Sequence, residues 1–209
     1  PLFVLAGSLM NRAGITDRLV EFSDVLVGWM RGGLAQIAIV VSMFFAGISG
    51  SAVADASAIG SLLIPAMKKQ KYDADFSAAL IASAAVMGPI IPPSVPMIII
   101  GAMLGISIGG LFLAGLIPGI LIGFSLMAVT YVMSRRRGYV PASAFPTARR
   151  FAGAFARAFT PLLAPLIILV GITTGIFTPT EAGAIATAYS LLLGGLVYRS
   201  LTPGRLYEA

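Results

Sequence analysis

Two short stretches carry the residue types that could do chemistry. The first is 45–55, Phe-Ala-Gly-Ile-Ser-Gly-Ser-Ala-Val-Ala-Asp, with two glycines and two serines in five residues and Asp55 four positions on. The second is 88–94, Gly-Pro-Ile-Ile-Pro-Pro-Ser, with three prolines in five residues. Both sit inside otherwise apolar sequence. Two glycines and two serines interrupt a helix, and three prolines remove backbone donors and clash with the preceding turn. Unwound carbonyls, serine hydroxyls and the facing ends of half-helices make an oxygen-rich cage, a chemistry suited to a hard monovalent cation at membrane depth. Asp55 falls near the start of the second arm, where a helix dipole favours a carboxylate. Such a position serves either as a dipole partner alone or as a contact to ion or substrate.

Other chemistries are poorly supplied. The chain has no cysteine and no histidine, which removes thiolates, the commonest general base and the commonest metal ligand. An intramembrane enzyme would have to work with Asp55, Glu181 and hydroxyls, and no spacing among them resembles a catalytic pair. Thr178-Pro179-Thr180-Glu181 fits a capping box led by Thr178, or a cap at Thr180 with Glu181 in the first turn; a glutamate in a substrate path is the other reading.

The elements that must position these residues are membrane helices. The 209 residues are 58% hydrophobic and 11% charged, against about 25% charged in soluble domains. The net charge of +6 sits in short basic clusters between apolar runs, the positive-inside pattern and not a phosphate-binding stripe. Pro1 opens in mid-run with no initiator Met and no signal-peptide pattern, so the chain is expected to be an internal piece of a longer protein.

In order, residues 1–32 read as the end of a membrane helix followed by an amphipathic helix, 16–31, lying in the interface plane. Leu19, Phe22, Leu26 and Trp29 form its apolar face, with Trp29 at headgroup level; Asp17, Arg18, Glu21, Asp24 and Arg31 form the other. Residues 33–66 follow as a helical hairpin. Each arm of about 15 residues reaches roughly 22 Å, short of a bilayer core of about 30 Å, so the hairpin is expected to be re-entrant. Residues 76–104 read as a transmembrane helix broken at 88–94, with Ser94 capping a second half from Val95 and Pro96 tolerated in its first turn. An uninterrupted span follows at 111–133. The basic stretch 134–158 is expected to be a cytoplasmic loop, having six arginines and no acidic residue. Two more spans fill 159–198. With 68–71 cytoplasmic, the crossings place Arg31, 134–158, Arg199 and Arg205 on the same side and the uncharged 105–110 turn outside. Two discontinuous helices in one short chain are a pointer to the binding site of a secondary transporter.

These phrases resemble the large membrane subunit of tripartite ATP-independent periplasmic transporters, the DctM-like permeases. The resemblance rests on Leu5-Ala6-Gly7 with Leu9-Met10-Asn11, Arg31-Gly32-Gly33-Leu34-Ala35, residues 45–55, residues 88–94, Leu116-Ile117-Pro118-Gly119 and residues 175–182. They run in family order over essentially the whole chain; Ala13 and Lys71 stand where glycine is usual. The resemblance implies an all-α, polytopic protein of the bacterial inner membrane. It would be half of an elevator-type transporter with a re-entrant hairpin and a broken helix in each inverted repeat. It further implies Na+-coupled import of organic acids, of C4-dicarboxylate or sialic-acid type, delivered by a periplasmic substrate-binding protein, with a small membrane subunit completing the complex. Carried over by position, Ser49, Gly50 and Ser51 match the first hairpin tip, and Pro92, Pro93 and Ser94 the first helix break. Together they would form one Na+ site, with Ser51, Asp55 and Ser94 on the substrate. The second hairpin and break have no counterpart here, so the chain is expected to hold about half the site and not to transport alone. A proton-coupled transporter or antiporter of related architecture, dependent on Asp55 protonation, is the competing expectation. A non-transporting scaffold subunit is another, with little use for two broken helices.

Overall fold

The computed structural model describes residues 2–198; Pro1, Arg199 and Arg205 lie outside them. All regular structure among the described residues is helical. The helices are α1 (Leu2–Arg12), α2 (Ile15–Val27), α3 (Gly33–Ser49), α4 (Ala52–Lys69), α5 (Ala74–Ala85), α6 (Val95–Leu104), α7 (Ile108–Arg137), α8 (Ala148–Thr173) and α9 (Pro179–Leu192), with a π-helical turn at Leu193–Val197.

α3 and α4 form a hairpin whose corner is two residues long. Gly50 ends α3 in the left-handed region, φ 60°, where a residue with a Cβ is strained, and its N–H returns to Ala46 O at 3.2 Å. Ser51 opens α4, its hydroxyl accepting from Ala54 N at 3.4 Å. Arms of 17 and 18 residues reach roughly 26 and 27 Å, still short of a bilayer core. α3 is the centre of the molecule. Ile37, Ile39, Val41, Phe45 and Ile48 are buried against Ile59, Leu63 and Met67 of α4 and Leu80 and Ile81 of α5. α4 runs on past Pro65 to Lys69, and the turn beyond it puts Lys71 at φ 63°.

The next membrane segment is broken between α5 and α6. Residues 86–94 make local turns, with Ile91 N on Met87 O at 2.8 Å and a cis peptide between Pro92 and Pro93. Ser94 caps α6, accepting from Met97 N at 3.3 Å, and Pro96 lies in the first turn.

Among the described residues, α7 and α8 are the two helices long and apolar enough to cross a membrane, with 30 and 26 residues. They correct the expected loop 134–158, which is helical at both ends: α7 carries Arg135–Arg137 and α8 already includes Arg149, Arg150 and Arg157. Arginine is a good helix former, so a charge that ends an apolar span does not end the helix. What stops α7 is Gly138 at φ 74°, and what starts α8 is the Thr147 cap. A glycine row on α7 seats the break. A Cβ on Gly115 would lie 2.6 Å from Ile90 O, and one on Gly119 2.5 Å from Ile91 Cγ1.

α2 ends at Gly28, short of the Arg31 expected, and Trp29 falls in the following turn. The apolar face of α2 meets protein. Phe22 stacks on Phe44 of α3 and packs against Phe151 and Phe155 of α8. Its acidic face pairs with the arginines of α8: Arg157 Nε donates to Glu21 at 2.9 Å and Arg150 to Asp24 at 2.6 Å. Asp73 joins the start of α5 to the end of α7, accepting from the Tyr139 hydroxyl at 2.9 Å and from Arg137. Those two donors hold its carboxyl below the usual carboxylate range.

Candidate functional site

The tip of the hairpin and the break between α5 and α6 meet, and they meet through backbone. Gly50 has no room for a side chain: a Cβ there would lie 2.5 Å from Pro93 O and 3.1 Å from Val95 N. Val95 N also donates to Gly50 O at 3.4 Å. A Cβ on Gly47, one turn earlier, would lie 3.5 Å from Pro92 O. On the other side of the tip Gly88 comes against the start of α4, its Cβ position 3.0 Å from Ala52 N and 2.7 Å from Asp55 Oδ2. Glycines on both partners therefore let two unwound segments touch where any larger residue would separate them.

Asp55 lies inside this contact and is wholly buried. Its Oδ1 accepts a short hydrogen bond from the Ser49 hydroxyl, which in turn accepts from Ser51 N at 3.2 Å. Its Oδ2 has no hydrogen-bond partner among the described residues. A buried carboxylate oxygen without a donor is costly unless something positive sits nearby. Beside it lie the Ser49 hydroxyl, on Oδ1, and the backbone of Gly88, while the carbonyls of Pro92 and Pro93 come against Gly47 and Gly50 on the other side of the tip. No cluster of three or more His, Cys, Asp or Glu residues occurs among the described residues, so a transition-metal site is not built here. Carboxylate, hydroxyl and carbonyl oxygens are the donor types a hard monovalent cation takes.

Ser94 holds the break together. Its hydroxyl accepts from Met97 N and donates to Pro89 O at 2.6 Å, and it is completely buried. Direct substrate contact was expected of Ser51, Asp55 and Ser94 together. Of the three, Ser51 borders the cavity described next, and Asp55 and Ser94 are fully buried.

That cavity, of about 230 Å³, lies on the other face of the tip between α1, α3 and α4. Ser49 and Ser51 border it, with Phe45 beneath, Ser8 of α1 across, and Ser57 and Ser61 along α4. Sequence reasoning did not single out Gly88 as a contact, nor Ser8, Ser57 and Ser61 as lining. The i, i+4 spacing of Ser57 and Ser61 beside Ala54 and Ala58 was the available signal: one small, polar face of α4.

Glu181 has a structural place. Thr178 N and its hydroxyl both donate to Glu181 Oε2 at 2.8 Å, and the Thr178 hydroxyl accepts from Glu181 N at 3.3 Å, completing a capping box at the start of α9. These bonds hold its carboxyl below the usual range. Thr180 is not the cap.

The chain matches, over residues 1–209, the family model described as the tripartite ATP-independent periplasmic transporter DctM component. It is 46% identical over 202 residues to the sialic acid TRAP transporter large permease protein SiaM of Vibrio cholerae, covering 97% of this chain and 47% of that one. It is 41% identical over 208 residues to the 2,3-diketo-L-gulonate TRAP transporter large permease protein YiaN of Escherichia coli, covering 100% and 49%. It is 40% identical over 203 residues to the C4-dicarboxylate TRAP transporter large permease protein DctM of Vibrio cholerae, covering 97% and 45%. The chain thus spans about half the length of these curated relatives.

Proposed function

The chain belongs to the DctM component family of tripartite ATP-independent periplasmic transporters, and on that premise we propose that it forms half of the permease of a Na+-coupled importer of organic acids. Its relatives are transport proteins of the membrane, not enzymes. The substrate would be of the kinds those relatives are named for, sialic acid or a C4-dicarboxylate, received from a periplasmic binding protein. A small membrane subunit would complete the assembly in the bacterial inner membrane, and the hairpin would be re-entrant within a multi-pass bundle.

The observation that carries this reading is the apposition of the tip with the break around the unpartnered Oδ2 of Asp55. Oxygens of Ser49, Gly50, Ser51, Pro92, Pro93 and Ser94 would hold Na+, with Asp55 balancing its charge, and the Ser94 hydroxyl also ties the break to Pro89. When bound, Na+ supplies the positive charge that two buried unwound segments and a carboxylate otherwise lack. Ser51 and the first N–H groups of α4 would receive the substrate carboxylate at the positive end of that helix. Tip and break would travel together as one body in an elevator motion, since neither can leave the other without exposing Asp55.

The test is uptake of radiolabelled organic acids by the full-length permease in proteoliposomes. Its small subunit and binding protein are present, and an inward Na+ gradient is imposed or withheld. Uptake that needs both the gradient and the binding protein is expected. Asp55→Asn keeps the shape and removes the charge, and should abolish the Na+ dependence. Uptake driven by a proton gradient, without a binding protein, would overturn the Na+ reading in favour of a proton-coupled transporter centred on Asp55.

A further inference from the structure

Three consecutive arginines end α7, and they do not share one task. Arg137 pairs with Asp73 and lies over the ring of Phe76. On α8, Arg150 and Arg157 are spent on Asp24 and Glu21. Arg135 and Arg136 enter no ion pair or hydrogen bond among the described residues. With Tyr131 and Val132, one turn earlier, they line a cavity of about 420 Å³ that has no acidic residue in its described lining. Two planar guanidiniums beside a phenolic hydroxyl are donors suited to the oxygens of a phosphate.

A second cavity opens one leaflet's depth away along the same helix. It holds about 520 Å³ between α2, α3, α7 and the break, and its described lining is wholly apolar. Val40, Met43 and Phe44 of α3, Ile91 of the break, and Phe124 and Met127 of α7 form its walls. Phe124, Ala128, Tyr131 and Arg135 are all exposed and recur at spacings of four, three and four. A single stripe of α7 therefore joins the two cavities. Phe124 lies eleven residues from Arg135, roughly 16 Å along the helix, and half of a bilayer core is about 15 Å. A headgroup held at the arginines sets its acyl chain at the mouth of the apolar cavity. One amphiphile accounts for both cavities, whereas a soluble anion accounts only for the first.

Charge, and not the chain, must select this lipid. Lipid tails are as apolar as leucine, so moving a chain from the bilayer into the cavity gains only packing. Each arginine at an anionic headgroup is worth about fivefold in affinity. We infer that α7 carries a site for an anionic phospholipid. Its phosphate sits on Arg135, Arg136 and the Tyr131 hydroxyl, and one acyl chain lies in the apolar cavity against Ile91 of the break.

The test is photolabelling of the full-length permease with its small subunit in phosphatidylcholine nanodiscs. The probes are phosphatidylglycerol and phosphatidylcholine, each with a diazirine midway along one chain and each at low mole fraction. Phosphatidylglycerol should label residues 40–44, 91 and 116–127 roughly 25-fold more than phosphatidylcholine, two arginines at about fivefold each. Arg135→Gln and Arg136→Gln should each lower that labelling about fivefold, and Arg135→Lys should keep it. Phosphatidylcholine labelling should not change. Both arginines are exposed, so these variants are expected to fold. Equal labelling by the two probes, or labelling that ignores the glutamine variants, would mean ordinary annular lipid and overturn the inference. Displacement of phosphatidylglycerol by millimolar inorganic phosphate would assign the arginines to a soluble anion and overturn it too. So would labelling that appears only when the small subunit is left out, which would give the groove to that subunit.

Discussion

Replacing Gly50 by alanine separates the two halves of the proposed cation site by a worked amount. Gly50 sits at φ 60°, where an L residue pays about 1–2 kcal/mol. Its Cβ would also lie 2.5 Å from Pro93 O, inside any real contact distance, and the obstacle is backbone on a buried, proline-stiffened segment. Overpacking of this kind costs about 1–3 kcal/mol. Gly105 supplies the control, because it has φ 65° and nothing within 4 Å of its Cβ position. Gly105→Ala pays the backbone term alone. The difference between the two variants therefore isolates the contact between tip and break, and at 1.4 kcal/mol per tenfold it amounts to roughly five- to 150-fold. The assay is the Na+ concentration for half-maximal uptake by the full-length permease. Gly50→Ala should raise it by that factor, and Gly105→Ala should leave it within about twofold of the parent, since its cost falls away from the site. Indistinguishable Na+ curves for the two variants would refute the claim that this contact builds the cation site.

Two further outcomes follow from the caps and corners. Thr178→Ala removes the capping box of α9 and should lower stability by about 1 kcal/mol, read as a fall in melting temperature in detergent, with the Na+ dependence of uptake expected to stay unchanged. Asp73→Asn loses the join to Arg137 and Tyr139. Because the folded carboxyl titrates below its ordinary 3.8, the join stabilises the protein above that value and is lost as pH falls through the lower folded one. The melting gap between parent and Asp73→Asn should hold steady between about pH 5 and 8 and close only in stronger acid; a gap that closes near neutrality would contradict the assignment.

Local signals were legible in the sequence and long-range ones were not. The two-residue corner at Gly50–Ser51, the Ser94 cap with Pro96 behind it, and the Thr178–Glu181 box each depend on residues within four positions of one another. Gly88 is different. Its need for a missing Cβ arises only when the break is laid against Ala52 and Asp55, more than thirty residues away. The amphipathic pattern of α2 showed two faces but not their partners. Apolar residues that would suit lipid are spent on Phe44, Phe151 and Phe155, and acidic ones on the arginines of α8. Lys71 shows the reverse case. It stands where the resembled family has glycine, and its φ of 63° gives the physical reason for that preference.

Coupling between ion and substrate needs a group that belongs to both sites, and Ser49 is placed to be that group. Behind the tip its hydroxyl donates to Asp55 Oδ1. In front, the same residue borders the serine-lined cavity, and its oxygen accepts the N–H of Ser51, the residue that opens α4 and faces the cavity. Any change in the charge balance at Asp55 alters the best orientation of the Ser49 hydroxyl, and with it the hold on Ser51. Two residues of backbone separate the sides, so no long relay is required. The geometry also explains why the corner is so short. A longer loop would give Ser51 freedom to move without Ser49, and filling the proposed cation site would then no longer set the shape of the proposed substrate cavity.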